Sequence, residues 1–494
     1  MNDAAEARRE RAWFVLALLV GVALWVAGAQ VRSLWVDEFH SMQHARAATL
    51  GALLASAAAD NHPPLAFVLL RWSRAFFGDS ELAIRAWSIA IGVLSLFVVR
   101  RVARRLPDPT SRIAAPWLVV LSSFAFTVFT EARMYGLLVL AVLGLVESIA
   151  GTLEGKRRGG LASPWAAAVW IAVGLHAHYY FFHYGLVLAA AVALLAASRR
   201  ELRSRAAKLL LPAVVGGLAF LPWFATGFVD QMSHGLPSGG STGRYANLTG
   251  YVQSLGHLLF FNASLAGEWA SRFVAVPGTA LGALVAACGV LRLVRVRDGE
   301  VRTLLVLLLA AAVVVPAWSL AFAHFYPRAG YNWRYIAGSC GPLLLLVAAG
   351  TRFVPPWRAA LSAATLLALA IVTAVNVTSP GQEDYRGVFA YLVRHAKDGD
   401  VLLTNPLHLV RPDEAYTGWD YYRDRVAPEL EGDARPEIVE FHGEPFTGAY
   451  DHDRVWLFVR RRYPRYVFDL LDEGHPDHEV VPIGPVMTVH LWTR

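Results

Sequence analysis

The stretch Trp13–Gln30, WFVLALLVGVALWVAGAQ, decides the class of this protein. It contains no charged residue, and a helix of about 20 mostly apolar residues is what crosses the ~30 Å hydrocarbon core of a bilayer. Arg8, Arg9 and Arg11 precede it, and no small-residue cleavage site follows. We therefore expect a retained signal anchor whose N-terminus lies in the cytoplasm.

The composition of the chain extends this pattern. Of 494 residues, 56% are hydrophobic and 17% are charged, which is too apolar for a soluble globule. A net charge of +7 could indicate a nucleic-acid-binding protein. However, the basic residues form short clusters between apolar runs, so we exclude nucleic acid as a partner and expect membrane lipids instead. Cys288 and Cys340 both fall in predicted spans, where neither a disulfide framework nor a thiolate metal site is indicated.

We predict about 11 transmembrane helices within residues 1–377. The limits around residues 130–135 and 176–184 stay open, because the hinges between apolar runs are short there. Alternate loops differ sharply in basic residues, and the positive-inside rule places the basic loops in the cytoplasm. The main basic clusters are Arg100–Arg105, Lys156–Arg158, Arg199–Lys208 and Arg292–Arg302. An odd number of spans then places residues 378–494 outside the cytoplasm.

The first outer loop, residues 32–80, contains a second apolar run, Pro63–Gly78. At 16 residues, and with Arg71 and Arg74 inside it, this run is short for a span, so we expect a helix at the membrane interface. Counting it as a span would move the later arginine clusters outside.

Residues 378–494 predict a small α/β domain. We expect helices at Tyr385–Lys397 and Tyr466–Glu473. Strands are predicted at Val401–Thr404, Glu437–Phe441, Val455–Val459, Val480–Ile483 and Val486–Trp492.

Ionisable residues cluster at the outer edge of the apolar runs. Charge at membrane level is costly, so such residues are candidates for function. The set is Asp37, Glu38, His40, His44, Asp60, His62, Glu131, Arg133, His176, His178, His183, His324, Arg328 and Arg334.

Asp37 and Glu38 follow the first span directly. Neighbouring residues on a helix point about 100° apart, so only one carboxylate faces a given site. One would act as a general base, while the other would hold an arginine, the loop or a divalent cation. The plain alternative is a polar stop at the end of a span.

The outer arginines Arg133, Arg328 and Arg334 are the best candidates for binding an anion, because the guanidinium fork fits phosphate oxygens. Arg133 lies beside Glu131 and Tyr135 in the sequence. The histidines at 176, 178 and 183 do not have the spacing of one helix face, so for His178 a hydrogen bond to a polar substrate, or interfacial packing, is favoured over zinc binding.

Several of these stretches resemble the GT-C glycosyltransferases, and most closely glycosyltransferase family 39, which includes protein O-mannosyltransferases and relatives of the lipid A aminoarabinose transferase. The matching stretches are Trp35-Val36-Asp37-Glu38, Asn61-His62-Pro63-Pro64-Leu65, Phe77–Arg85, Thr130–Tyr135, Arg328–Tyr335 and Asp384–Val388.

This resemblance implies a GT-C fold and transfer of a sugar from a polyprenyl phosphate. It places the general base on Asp37 and includes Glu38, Arg133 and Arg85 in the site, with His62 in the loop that covers the donor. The long luminal insertion of the eukaryotic O-mannosyltransferases is missing, so the acceptor stays open among lipid, glycan and protein. One base without a second nucleophilic carboxylate predicts inversion at the anomeric carbon.

Two alternatives belong to other classes. A secondary transporter would carry polar groups at mid-span and paired broken helices, whereas the ionisable residues here lie at the outer edge. A non-catalytic scaffold that displays the C-terminal domain would leave the Asp37 and Arg133 loops unexplained.

Overall fold

The computed structural model describes residues 2–155, 163–233, 247–260, 276–326, 331–351, 356–378, 383–404, 421–422, 425, 437–440, 452–460, 465–483 and 487–494. The chain divides into two compact units. The first, here called the bundle, comprises residues 1–29 and 44–377, and the second comprises residues 30–43 and 378–494. The short segment 30–43 therefore belongs to the same unit as the C-terminal domain.

Helices make up the described part of the bundle. Its first ten helices, the first two of which extend into segment 30–43, are α1 (Asn2–Val31), α2 (Val36–Ala45), α3 (Leu50–Ala58), α4 (Leu65–Phe77), α5 (Glu81–Ala103), α6 (Pro109–Val120), α7 (Ser123–Thr130), α8 (Tyr135–Glu154), α9 (Pro164–Ala177) and α10 (Phe181–Ser198). The later α-helices are α11 (Arg203–Ala207), α12 (Leu210–Leu218), α13 (Leu221–Trp223), α14 (Val229–Ser233), α15 (Leu248–Phe260), α16 (Val276–Arg295), α17 (Gly299–Leu309), α18 (Val315–Phe325), α19 (Cys340–Gly350) and α20 (Pro356–Thr378). Short 3₁₀ or π turns cover Arg200–Leu202, Phe224–Phe228, Ala310–Val314 and Ala337–Ser339.

Seven helices in the described part of the chain are long and apolar enough to cross a membrane. An eighth span is formed if α6 and α7, which meet at a 54° bend, count as one. Three shorter apolar helices cover Pro164–Ala177, Ala337–Gly350 and Ala363–Thr378. The chain is a multi-pass membrane protein, and the count of about 11 spans stays a prediction.

The bend between α6 and α7 falls inside one predicted apolar run. Ser122 is the N-cap of α7, because its side chain accepts a hydrogen bond from the backbone N–H of Ala125. A new helix therefore starts here, inside the apolar run. The next boundary, between α7 and α8, places Glu131–Met134 outside both helices. The connection that carries Glu131 and Arg133 therefore lies between two helix ends.

The core of the bundle is α8, which is buried along its whole length. Gly144 in α8 allows α9 to approach closely, since a Cβ at this position would lie only 2.3 Å from the ring of Trp170. At the far end of α8, Glu147 and Glu154 are buried and both pair with Arg105. A buried charge is tolerated only when it is paired in this way.

Besides most of α2, the described part of the second unit contains a five-stranded sheet and two further α-helices. The strands are β1 (Val401–Thr404), β2 (Glu437–Glu440), β3 (Arg454–Arg460), β4 (Asp477–Ile483) and β5 (Met487–Thr493), and the helices are α21 (Tyr385–His395) and α22 (Arg465–Gly474). The sheet order is β2-β1-β3-β5-β4, with β1 parallel to β2 and β3, and β5 antiparallel to β3 and β4. The predicted α/β class is confirmed.

One face of this sheet carries the core of the second unit. Alternate residues of β1 and β3 form one buried cluster on this face, as the two-residue period of a strand requires, and the residues between them, Leu402, Trp456 and Phe458, are buried on the other face. Phe468 of α22 packs against this core, and Trp492 of β5 closes it. The C-terminal domain therefore has a hydrophobic core of its own.

Candidate active site

The two predicted carboxylates lie in the first turn of α2, within the second unit. Glu38 is completely buried, and its Oε2 accepts a hydrogen bond of 3.3 Å from the backbone N–H of Trp35. Asp37 is only half-buried, and its backbone carbonyl accepts a 2.9 Å hydrogen bond from the Ser41 hydroxyl. The pair is thus divided into a buried carboxylate that ties down the turn and a more accessible one.

A second acidic group, Asp60, lies in the bundle between two histidines. Its Oδ2 is 3.2 Å from Nδ1 of His62 and 3.6 Å from Nε2 of His44. Burial by itself would raise the pKa of Asp60, but the hydrogen bonds and charges of the two histidines outweigh it and hold that pKa well below its ordinary range. The other ring nitrogen of His44 lies 2.7 Å from the Ser56 hydroxyl. Asp60 therefore fixes the orientation of both rings.

His178 lies in the turn between α9 and α10 and is 5% exposed. Its Nδ1 accepts a 3.1 Å hydrogen bond from the backbone N–H of Tyr180. Burial, together with the charges of His62, Arg133 and His183, holds the pKa of His178 well below its ordinary range, so the ring is neutral with its proton on Nε2. That buried Nε2 has no hydrogen-bond partner among the described residues.

Aromatic and imidazole rings surround His178. The ring centroid of His62 is 5.9 Å away, that of Tyr135 is 6.0 Å away and that of Tyr335 is 5.2 Å away. An unpaired buried donor costs about 1–3 kcal/mol. A group that accepts a hydrogen bond in this ring of side chains would recover that cost.

Arg133 lies in the short connection between α7 and α8 and is 5% exposed. Its neighbour Glu131 is also buried, and the backbone carbonyl of Glu131 accepts a 2.6 Å hydrogen bond from the Ser88 hydroxyl of α5. This bond anchors the connection to α5. The positive charge of Arg133 contributes to the lowered pKa of His178, and both side chains are buried in the bundle.

Arg85 of α5 is 1% exposed, and its Nη1 donates a 2.9 Å hydrogen bond to the backbone carbonyl of Ala29. That carbonyl lies near the C-terminal end of α1, where backbone acceptors lack helical partners. At least one arm of Arg85 therefore holds the end of α1 in place.

Arg334 lies in the turn at residues 333–336 of the bundle. Its guanidinium lies over the ring of Trp333, with Cζ 4.9 Å from the ring centroid. Tyr335, the next residue, reaches the rings of His178 and Tyr180. Arg328 lies outside the described residues.

The structure therefore brings together, in the bundle, His62, His178, Tyr135 and Arg133 from the predicted set, with Glu131 in the same connection as Arg133. Asp37 and Glu38 lie in the other unit. Asp60, one of the ionisable candidates at the outer edge, was given no specific role, and the structure shows that it holds His62. Tyr335 lies in the Arg328–Tyr335 stretch but was not predicted as a site residue, and the structure shows that it packs on His178.

A divalent cation on Asp37 and Glu38 is not supported by the residues around them. In the ranges that the structure describes, no group of three or more His, Cys, Asp or Glu side chains is arranged to hold a metal ion. Hard cations such as Mg²⁺ and Ca²⁺ need several oxygen ligands, and the buried Glu38 already accepts a hydrogen bond from Trp35. No catalytic step is derived through a cation.

A family model described as dolichyl-phosphate-mannose-protein mannosyltransferase matches residues 61–225, about a third of the chain. This range contains His62, Arg85, Arg133 and His178. No curated protein matches the sequence significantly.

Two solved structures are similar. ArnT from Cupriavidus metallidurans, solved bound to undecaprenyl phosphate, matches with a TM-score of 0.53 at 13% identity over 97% of this chain and 98% of that one. The oligosaccharyltransferase AglB from Archaeoglobus fulgidus, solved with an inhibitory peptide and a dolichol-phosphate, matches with a TM-score of 0.49 at 10% identity over 94% of this chain and 71% of that one. The fold assignment depends on the first match. The expected architecture is thereby confirmed, and this chain has the fold of the GT-C glycosyltransferases.

Proposed function

We propose that this protein is an inverting glycosyltransferase that moves a sugar from a polyprenyl-phosphate donor to an acceptor hydroxyl on the outer face of the membrane. The observation that carries the proposal is that the bundle contains both the buried Arg133 guanidinium and a buried His178 Nε2–H with no hydrogen-bond partner among the described residues, close enough for the charge of Arg133 to lower the pKa of His178. Positive charge and a neutral donor at a helix boundary suit a phosphate group attached to a lipid. The ArnT structure with the same fold was solved with such a lipid.

Arg133 would bind the phosphate of the donor, and His178 would donate one further hydrogen bond to it. A planar guanidinium offers a fixed fork of donors that matches two phosphate oxygens. Bonds to a charged group in a buried place are worth about 1.5–3 kcal/mol each. As the bond to the sugar breaks, negative charge grows on the phosphate, so these two groups would stabilise the transition state more than the ground state.

Asp37 would act as the general base. In the proposed step the acceptor hydroxyl gives its proton to the Asp37 carboxylate, the acceptor oxygen forms a bond to the anomeric carbon, and the bond from that carbon to the phosphate oxygen breaks. The polyprenyl phosphate leaves with the electron pair. Phosphate is a good leaving group, so no separate strong acid is required, and a single displacement inverts the anomeric centre.

Glu38 would support this step without taking part in proton transfer. It is completely buried and bonded to the Trp35 backbone, which suits a residue that stiffens the turn. The half-buried Asp37 has the accessibility that a base needs to reach a substrate hydroxyl.

The remaining residues would shape the donor site. His62, held by Asp60, and Tyr135 would line it beside His178. Arg85 and Glu131 would fix the ends of α1 and α7, while Arg334 and Arg328 would meet the anionic headgroup from the late outer loop. We also propose that residues 378–494 lie outside the cytoplasm of a cell-envelope membrane, and that the acceptor is a lipid, a glycan or a protein.

The experiment uses the purified chain in lipid nanodiscs. Binding of undecaprenyl phosphate is measured by native mass spectrometry, and transfer is measured with radiolabelled undecaprenyl-phosphate hexoses and pentoses in the presence of cell-envelope acceptors. We expect saturable binding of undecaprenyl phosphate. In the transfer assay we expect release of free undecaprenyl phosphate and a glycosylated product whose anomeric configuration is inverted relative to the donor. In a parallel assay the chain is reconstituted into lipid vesicles. Movement of the intact lipid-linked sugar across the vesicle membrane, without cleavage of the sugar–phosphate bond, would favour a transporter and contradict the proposal.

A further inference from the structure

Tyr422 of the C-terminal domain is hydrogen-bonded to the segment that carries Asp37. The hydroxyl of Tyr422 accepts a 2.9 Å hydrogen bond from the backbone N–H of Leu34 and lies 3.1 Å from the hydroxyl of Ser33. Tyr422 is 1% exposed, and both bonds are buried. Residues nearly 390 positions apart in the sequence are therefore joined just before the acidic turn.

Arg386 of α21 adds a second tie to the same segment. Its backbone N–H donates a 2.9 Å hydrogen bond to the Ser33 hydroxyl, and its Nη2 donates a 3.0 Å bond to the carbonyl of Gln30. The last carbonyls of a helix have no partner within the helix and carry partial negative charge. Arg386 thus caps the end of α1, at the point where the chain turns toward α2.

Phe39 provides the third tie, directly after the two carboxylates. Its ring is 5.6 Å from that of Tyr421, 6.0 Å from that of Tyr422 and 6.5 Å from that of Tyr385, each in an edge-on arrangement. Phe39 is 4% exposed. Pairs of this geometry contribute about 0.5–1.5 kcal/mol each beyond their buried area.

The rings that hold Phe39 are in turn packed on the sheet. Tyr385 and Phe389 of α21 lie 6.2 and 6.1 Å from the ring of Phe458 in β3. Phe389 also stacks on Tyr422 at 5.9 Å. The position of α2 is therefore set by the rigid core of the C-terminal domain.

We infer that the C-terminal α/β domain fixes the position of the turn that carries Asp37, with Tyr422, Arg386 and Phe39 as positioning residues for Asp37. This inference rests on the proposed role of Asp37 as the base. A base must be held within a fraction of an ångström of its working position, and a displacement of about 1 Å can lower a rate about a hundredfold. The contacts lie on both sides of Asp37, at Ser33, four residues before it, and at Phe39, two residues after it.

The test compares Tyr422→Phe with Tyr391→Phe. The first variant keeps the ring but removes both hydrogen bonds, whereas Tyr391 lies on the same domain and makes its ring contacts with His395 and Trp456. For Tyr422→Phe we expect kcat to fall about tenfold while the affinity for undecaprenyl phosphate stays within about twofold of wild type. Tyr391→Phe should change neither quantity.

Hydrogen–deuterium exchange provides a readout that does not depend on activity. In Tyr422→Phe the amides of residues 33–42 should exchange faster, while those of β3 and β5 should keep their protection. Ser33→Ala removes the contact with Tyr422 and also the hydrogen bond from the Arg386 backbone N–H, so it should speed the exchange of the same amides at least as much. Unchanged exchange at residues 33–42, or a loss of transfer matched by a loss of lipid binding, would overturn the inference. A wild-type chain that binds no undecaprenyl phosphate and transfers no sugar would instead overturn the proposed function, and the exchange result would still stand.

Discussion

The first outer loop contains two acidic sites that are held in opposite ways. Asp60 lies in the bundle between two histidines of the same loop, His44 and His62, which are at most 16 residues away in the sequence. Asp37 lies in the second unit, and its segment is fixed by residues from the far end of the chain. Asp60 is committed to local structure, whereas Asp37 stays partly accessible on a turn fixed from outside. Accessibility combined with a fixed backbone is what a general base requires.

The largest effect should come from removing the base. Asp37→Asn keeps the size of the side chain but cannot accept a proton, and general-base catalysis contributes about 10²–10⁴-fold to a rate. We expect transfer from radiolabelled undecaprenyl-phosphate sugars to fall by at least about a hundredfold. Asp398→Asn, at an exposed carboxylate in the same unit, serves as the control and should transfer at the wild-type rate. Wild-type transfer by Asp37→Asn would remove the distinction between the two acidic sites.

The next effect should come from the anion-binding group of the bundle. Arg133→Ala removes a buried guanidinium, and loss of charge-assisted hydrogen bonds worth about 1.5–3 kcal/mol corresponds to about ten- to a hundredfold weaker binding. The Kd for undecaprenyl phosphate, measured by native mass spectrometry, should rise accordingly. Arg104→Ala, at an exposed arginine of the same unit, should leave the Kd unchanged. An unaltered Kd for Arg133→Ala would exclude this residue from the phosphate site.

A smaller effect is expected at His178. His178→Phe keeps an aromatic ring among its ring neighbours but removes the single Nε2–H donor, whereas Arg133→Ala removes a fork of donors and a positive charge. One bond from a neutral donor to the phosphate should lie at the lower end of about 1.5–3 kcal/mol, so binding of undecaprenyl phosphate should weaken about tenfold. The matched control is His176→Phe, because the His176 ring pairs with the carbonyl of Ala172 and packs on Phe220 instead. Equal losses in both variants would indicate a general packing effect.

The smallest effect on transfer is expected at Asp60, where stability should change instead. The pKa of Asp60 is lower in the folded chain than the unfolded value of about 3.9, so its charge stabilises the fold fully above about pH 4 and progressively less as the pH falls below it. Asp60→Asn should lower the unfolding temperature at pH 7, and the difference from wild type should narrow between pH 4 and pH 3. Glu201→Gln, at an exposed carboxylate of the bundle, should show no such difference. A constant difference down to pH 3 would contradict the assigned pKa direction.

Much of the fold follows from local patterns in the sequence. Apolar runs predicted the helices, and the predicted strands of the C-terminal domain coincide with β1–β5 to within a few residues. These features depend on neighbours along the chain, where periodicity and turn residues are visible. The break at Leu121 and Ser122 was missed, because a capping serine inside an apolar run looks like an ordinary small residue.

The candidate site was predictable only in part. Arg133 and His178 were predicted as candidates because ionisable groups at the membrane edge are costly and therefore stand out. The partnership of Phe39 with Tyr385, Tyr421 and Tyr422 was not visible, since aromatic residues occur throughout this chain and nothing local marks which ones meet across the sequence. Contacts of this kind depend on how distant segments pack.

The most direct measurement is the affinity of the Asp37→Asn variant for undecaprenyl phosphate, made on the same preparation that is assayed for transfer. If Asp37 is the base and Arg133 binds the phosphate, the Kd should stay within about twofold of wild type while transfer is lost. A Kd that rises in parallel with the loss of transfer would contradict this division, because the acidic turn would then be part of the donor-binding site.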